Sequence, residues 1–133
     1  MDFIDWTCSG ESRLDYSYAR FALAKSFVFE RWCELAGERA LAQPDDLSGS
    51  CKFGSLFMRY VFGGAIRGHF EHQFNLIDGR IVDLSHDARD VGRMTHPYLH
   101  EQTFFTVPEV QASLSGCSPR AERWGQDFIR VHA

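Results

Sequence analysis

The sequence has no long apolar run, no cluster of basic residues, no C-x-x-C pair and no internal repeat or linker, and each absence removes a class of protein. Its longest apolar stretches, such as Phe27-Val28-Phe29, end after a few residues, far short of the ~20 that a membrane-spanning helix needs. The 14 Lys and Arg are scattered among 18 Asp and Glu, for a net charge of −4. A protein that tracks phosphate backbones carries a basic stripe instead, so neither nucleic acid nor a membrane is expected as a partner. Cys8, Cys33, Cys51 and Cys117 lack the spacing of a zinc ribbon or a thioredoxin-like motif. They fit reduced thiols better than a disulfide framework. The opening Met1-Asp2-Phe3-Ile4-Asp5 carries acids where a secretory leader carries Lys or Arg, so a cytoplasmic location is expected.

What is present is ordinary in bulk and specific in detail. Hydrophobic residues make up 44% and charged residues 24% of the 133, the composition of a globular domain, and twelve Phe predict a core rich in rings. One domain over 1–133 is expected. Apolar residues from Tyr16 to Leu35 recur at helical spacing, with Asp15 or Ser17 as the cap and Gly37 as the stop, which predicts a helix over 16–36. The segment from Ala42 to Ser50 has no apolar period and reads as a loop. Phe53, Leu56, Phe57, Tyr60 and Val61 then fall on one helical face, predicting a helix over 51–62 that opens at Cys51 and ends at Gly63-Gly64.

Antiparallel strands are expected over 65–85, because Asp78-Gly79 between two alternating runs is a strong hairpin signal. Ser85 to His100 is polar and reads as irregular, anchored by Tyr98. Two short helices complete the chain, at 107–115 with Thr106 as cap and at 119–131 with Ser118-Pro119 as cap and first position. This order predicts an α+β fold with a small antiparallel sheet.

Cys51 stands where a nucleophilic thiol gains most. A free thiol with a pKa of roughly 8.5 is mostly protonated at neutral pH, and a helix N-terminus favours the thiolate through unpaired N–H groups and the macrodipole. Gly49 and Ser50 leave the sulfur room to face a cleft, and the Cys51 N–H is placed to hold an oxyanion. With a two-residue loop, Phe74 pairs with Asp83 and His72 becomes the diagonal neighbour of Asp83 on the same face, within reach of an imidazole–carboxylate hydrogen bond. His72 then serves as acid and base and Asp83 fixes its tautomer. The plainer reading makes Cys51 a small buried hydrophobe and His72 a satisfied core residue.

The same residues resemble the YunG-like group of the papain-like and transglutaminase-like cysteine enzymes. The resemblance rests on Cys51 at a helix start, Phe62-Gly63-Gly64, His72-Gln73-Phe74-Asn75, Asp78-Gly79 and Asp83-Leu84-Ser85. It implies catalytic roles for Cys51, His72 and Asp83, and a fold in which the cysteine helix packs on an antiparallel sheet. The group usually carries Gln before the cysteine, where this chain has Ser50.

Other histidines compete for attention. His69 and His72 form an H-x-x-H pair, but alternation along one strand sends them to opposite faces, and Pro97 weakens a helix across His96 and His100. His86 reaches the site only if the chain turns back after Asp83. Asp87, Arg89, Asp90 and Arg93 read as a solvated, salt-paired segment, Cys117 as a loop residue and Cys33 as core. The expectation is a cysteine-dependent hydrolase or acyl-transfer enzyme acting on an amide or thioester bond of a peptide, protein or small amide, with no cofactor and no metal. The alternative is a non-catalytic binding or regulatory module on the same fold. A metal-dependent hydrolase is a third.

Overall fold

The apolar face read over 51–62 belongs to a helix that is buried almost all round. In the computed structural model, which describes residues 3–133, helix α2 (Cys51–Phe62) buries Phe53, Gly54, Ser55, Leu56, Phe57, Met58, Val61 and Phe62. A helix apolar on all sides lies between layers. On one side are α1 (Tyr18–Glu38) and α3 (Pro108–His132), where the rings of Phe27, Phe57, Phe62 and Phe128 meet with centroids 5.5–6.2 Å apart. On the other is an antiparallel sheet in the order β1 (Gly10–Ser12), β2 (Gly63–His69), β3 (His72–Ile77) and β4 (Arg80–Val82). The Asn75 side-chain amide donates to the Ser55 carbonyl at 2.9 Å and so ties β3 to α2. The fold is α+β, and among the described residues no helix is long and apolar enough to cross a membrane.

Hairpin register sets which side chains face α2. Ile77 pairs with Arg80, Leu76 with Ile81 and Asn75 with Val82, as the two-residue loop predicts. Asp78 and Gly79 both take positive φ, 52° and 77°, which a type I′ turn requires. Ile66, Ile77 and Val82 therefore enter the main core with α2, while Phe74, Ile81 and Tyr98 form a second small core on the opposite face. The irregular segment after β4 covers that second face.

The elements depart from expectation at four places. β1 pairs with β2 at Gly10–Gly64, so the sheet gains a strand, and β2 begins at Gly63 rather than at 65. The last strand stops at Val82, and a 3-10 turn over Leu84–His86 follows because the Asp83 side chain accepts from the Ser85 N–H and caps it. The two short C-terminal helices are one helix with Pro119 inside it, and Cys117 lies in that helix instead of a loop. An interior proline removes a backbone bond, but Gln111, Leu114, Ala121, Trp124 and Phe128 keep one continuous buried face across it, and tertiary packing dominates helix stability. At its start Val107 and Pro108 take the cap and first position, whereas the Thr106 hydroxyl bonds the Thr103 carbonyl. Ser17 does cap α1, accepting from the Arg20 N–H at 3.1 Å, but that helix runs past Gly37 to Glu38 before Ala40 adopts φ 56°.

Two glycines test this packing in opposite directions. Gly64 has φ 71°, and a Cβ there would lie 2.4 Å from the Leu76 carbonyl oxygen, whereas exposed Gly116 in mid-α3 has nothing within 4 Å. Gly64→Ala is expected to destabilise by more than about 2 kcal/mol and Gly116→Ala to stabilise by about 0.5–1 kcal/mol, both read from urea unfolding midpoints.

Candidate active site

The site is built from the end of β4. Asp83 is extended (φ −143°, ψ 106°) and divides its carboxylate between two neighbours. One oxygen, Oδ1, accepts from the Ser85 N–H at 3.0 Å and the Ser85 hydroxyl at 2.8 Å; the other, Oδ2, meets His72 Nε2 at 2.5 Å. Both partners are deeply buried, with His72 8% and Asp83 4% exposed. Burial pushes the Asp83 carboxyl up, but hydrogen bonds and charge from His72 and the Ser85 hydroxyl outweigh it, and the group lies below the usual carboxylate value.

The chain does turn back. Backbone bonds join Asp83 and Ala88 in both directions, Asp87 adopts φ 55°, and the His86 ring arrives edge-on to His72 with centroids 4.8 Å apart. Tyr98 packs edge-on to His72 at 5.9 Å and to Phe74 at 5.3 Å. Burial, then the Asp83 charge, raises the Tyr98 phenol far above its ordinary value, so it is neutral against the carboxylate. Lys25 ties this segment to α1 through Asp87 at 2.7 Å and the Leu84 carbonyl.

Cys51 is half-buried at the start of α2. The cap residue Ser50 gives its hydroxyl to the Leu47 carbonyl at 2.6 Å, and among the described residues no side chain caps the helix. The Cys51 thiol donates to Gln73 Oε1 at 3.2 Å, and Gln73 Nε2 donates to the His69 carbonyl at 2.5 Å. Adjacent strand residues point to opposite faces, so Gln73 meets α2 while His72 lies beneath Tyr98. The structure thus brings His72 to Asp83, while the Cys51 thiol is hydrogen-bonded to Gln73 and not to the imidazole or the carboxylate. Cys51 and Asp83 nevertheless line one crevice of about 10 Å³ between α2 and the β3–β4 hairpin, close to the room one water needs. On its other side Cys51 opens on a groove of about 350 Å³ lined by Lys52, Phe70, Glu71, Gln73, Phe104 and Glu109.

The remaining candidates separate from this site. His69 pairs directly with His72 across the Phe70-Glu71 turn, so the two share a face; the opposite-face expectation fails because a turn, not one strand, joins them. His69 Nε2 meets the Pro97 carbonyl at 3.1 Å, His100 Nδ1 accepts from the Gly68 N–H at 3.1 Å, and exposed His96 lies 3.6 Å from Glu71. Cys8 is exposed and bonds Asp5 at 2.9 Å, and burial raises the Cys117 thiol. Sequence reasoning missed Gln73, whose signal was its parity with Asn75 on the helix-facing side. His86, expected at the site only if the chain turned back, does reach His72, and Tyr98 is the neighbour that the sequence did not mark. Comparison with protein-family models, curated proteins and solved structures gives no match to the chain.

A carboxyl held below its ordinary value stabilises the fold fully above that value, about 3.9, and this contribution is lost as pH falls through the lower folded-state value. Asp83→Ala is therefore expected to lose about 1–3 kcal/mol at neutral pH, a gap that narrows below about pH 4 in urea unfolding across pH. A gap independent of pH contradicts this.

Proposed function

We propose that the chain is a cysteine-dependent hydrolase or acyl-transfer enzyme acting on an amide or thioester bond, on a papain-like or transglutaminase-like fold related to the YunG-like group. The supporting observation is the shared crevice: Cys51 at an uncapped helix start and Asp83 of a buried imidazole–carboxylate pair line the same narrow space. Asp83 accepts from Nε2 of His72 and so leaves Nδ1 as the basic nitrogen. In the reaction the Cys51 thiol leaves Gln73 and passes its proton to His72 Nδ1, a transfer that requires the ring to move from beneath Tyr98 toward the helix side of β3. Catalytic hydrogen bonds are often long or misaligned before substrate binds and tighten in the complex.

The sulfur then attacks the carbonyl carbon, a C–S bond forms, and the first-turn N–H groups of α2 face the oxyanion. Collapse expels the amine or thiol, which leaves with the proton from His72, and water or a second nucleophile releases the acyl group. The groove beside Cys51, with Phe70 73% exposed at its rim and Phe104 within it, suits an apolar group of a peptide, protein or small amide substrate.

The Cys51–Gln73 hydrogen bond favours a second reading, a binding or regulatory module with an idle thiol. An activated ester separates the two. With p-nitrophenyl acetate and acid quenching, the enzyme reading predicts one acetyl group on Cys51 by peptide mass mapping, formed about 100-fold more slowly in His72→Ala. Acetylation of Cys51 at the same rate in both proteins, or of Cys8 alone, leaves the module.

A further inference from the structure

We propose that His72, Asp83 and His86 form a binding site for a divalent transition-metal ion of the zinc type. One ligand atom from each residue lies within 4.8 Å of the other two. The cause is local: in a 3-10 turn, residues three apart eclipse, so Asp83 and His86 project to the same side of the turn over Leu84–His86, while β3 presents His72 from below. Around a tetrahedral ion with bonds of about 2.0–2.2 Å, ligand atoms stand roughly 3.4 Å apart. His86 closes to that spacing by ring rotation. His72 Nε2 and Asp83 Oδ2, now 2.5 Å apart, open to it by about 1 Å when the proton between them is replaced.

The surroundings suit an ion. Ser85 holds the non-ligating Asp83 oxygen through two hydrogen bonds, the outer support that orients metal-binding carboxylates. Two imidazoles and one carboxylate select zinc-like ions over calcium or magnesium. Tyr98 and Phe74 wall the inner side, and among the described residues the His86 ring, which is exposed, enters no hydrogen bond, so a fourth coordination position faces solvent. The site does not rest on any role for Cys51. At His72 Nε2 the ion and the Asp83-bridging proton exclude one another.

The test is titration of the wild-type chain and of Cys51→Ser with Zn²⁺ by calorimetry and with Co²⁺ by visible absorption. Both proteins are expected to bind one ion, with cobalt bands of a tetrahedral site free of thiolate charge transfer. His86→Ala, a surface change that leaves the buried pair intact, weakens binding by more than about tenfold, and His96→Ala does not. Binding unchanged by His86→Ala, thiolate charge transfer, or no saturable binding overturns the site. None of these results bears on acetylation of Cys51, which stands or fails separately.

Discussion

The hydrogen bond between His72 and Asp83 is the contact on which one whole face of the sheet depends. A buried imidazole and a buried carboxylate each require a partner, and here each supplies the other's. From that contact Asp83 also caps the following 3-10 turn and bridges to Ala88, so the polar segment after β4 is folded down rather than left to solvent. Tyr98, Phe74 and Ile81 then have a cover under which to pack. An otherwise open antiparallel face becomes a second, smaller core with one polar pair at its end.

The other face is governed by α2. It carries the main core, and Gln73 and Asn75 are the polar residues through which β3 meets the helix, Asn75 at the Ser55 carbonyl and Gln73 at the Cys51 thiol. Neighbouring residues of one strand thus serve two layers: His72 belongs to the site under Tyr98, and Gln73 to the start of the cysteine helix. The narrow crevice between them is where the two layers come closest to sharing chemistry. The proposed thiol reaction uses that proximity, and the proposed metal site uses only the outer layer.

Much of this was legible from residue order where a local signal decides the structure. Asp78-Gly79 determined the hairpin loop, and parity from that loop put His72 beside Asp83. Ser17 and the spacing from Phe53 to Val61 marked two helices. The failures arise where long-range contacts outweigh local preference. Gly10-Glu11-Ser12 has no apolar alternation and becomes a strand only through pairing with Gly64. Pro119 reads as a helix start, yet the face running from Leu114 to Phe128 carries one helix across it. His69 and His72 count along one strand in the sequence, but a turn separates them. Cys51 joins His72 in the sequence through its helix-start position and the family pattern, whereas the strand residue its thiol meets, Gln73, depends on how helix and sheet pack.

The buried imidazole–carboxylate bond is observable by proton NMR without any assumption about activity. A His72 N–H held at 2.5 Å by Asp83 and shielded from solvent is predicted to give a far-downfield, slowly exchanging imidazole resonance. It should persist in Cys51→Ser and disappear in Asp83→Asn. Absence of such a resonance in the native chain, or its survival in folded Asp83→Asn, would mean that His72 and Asp83 do not share this bond.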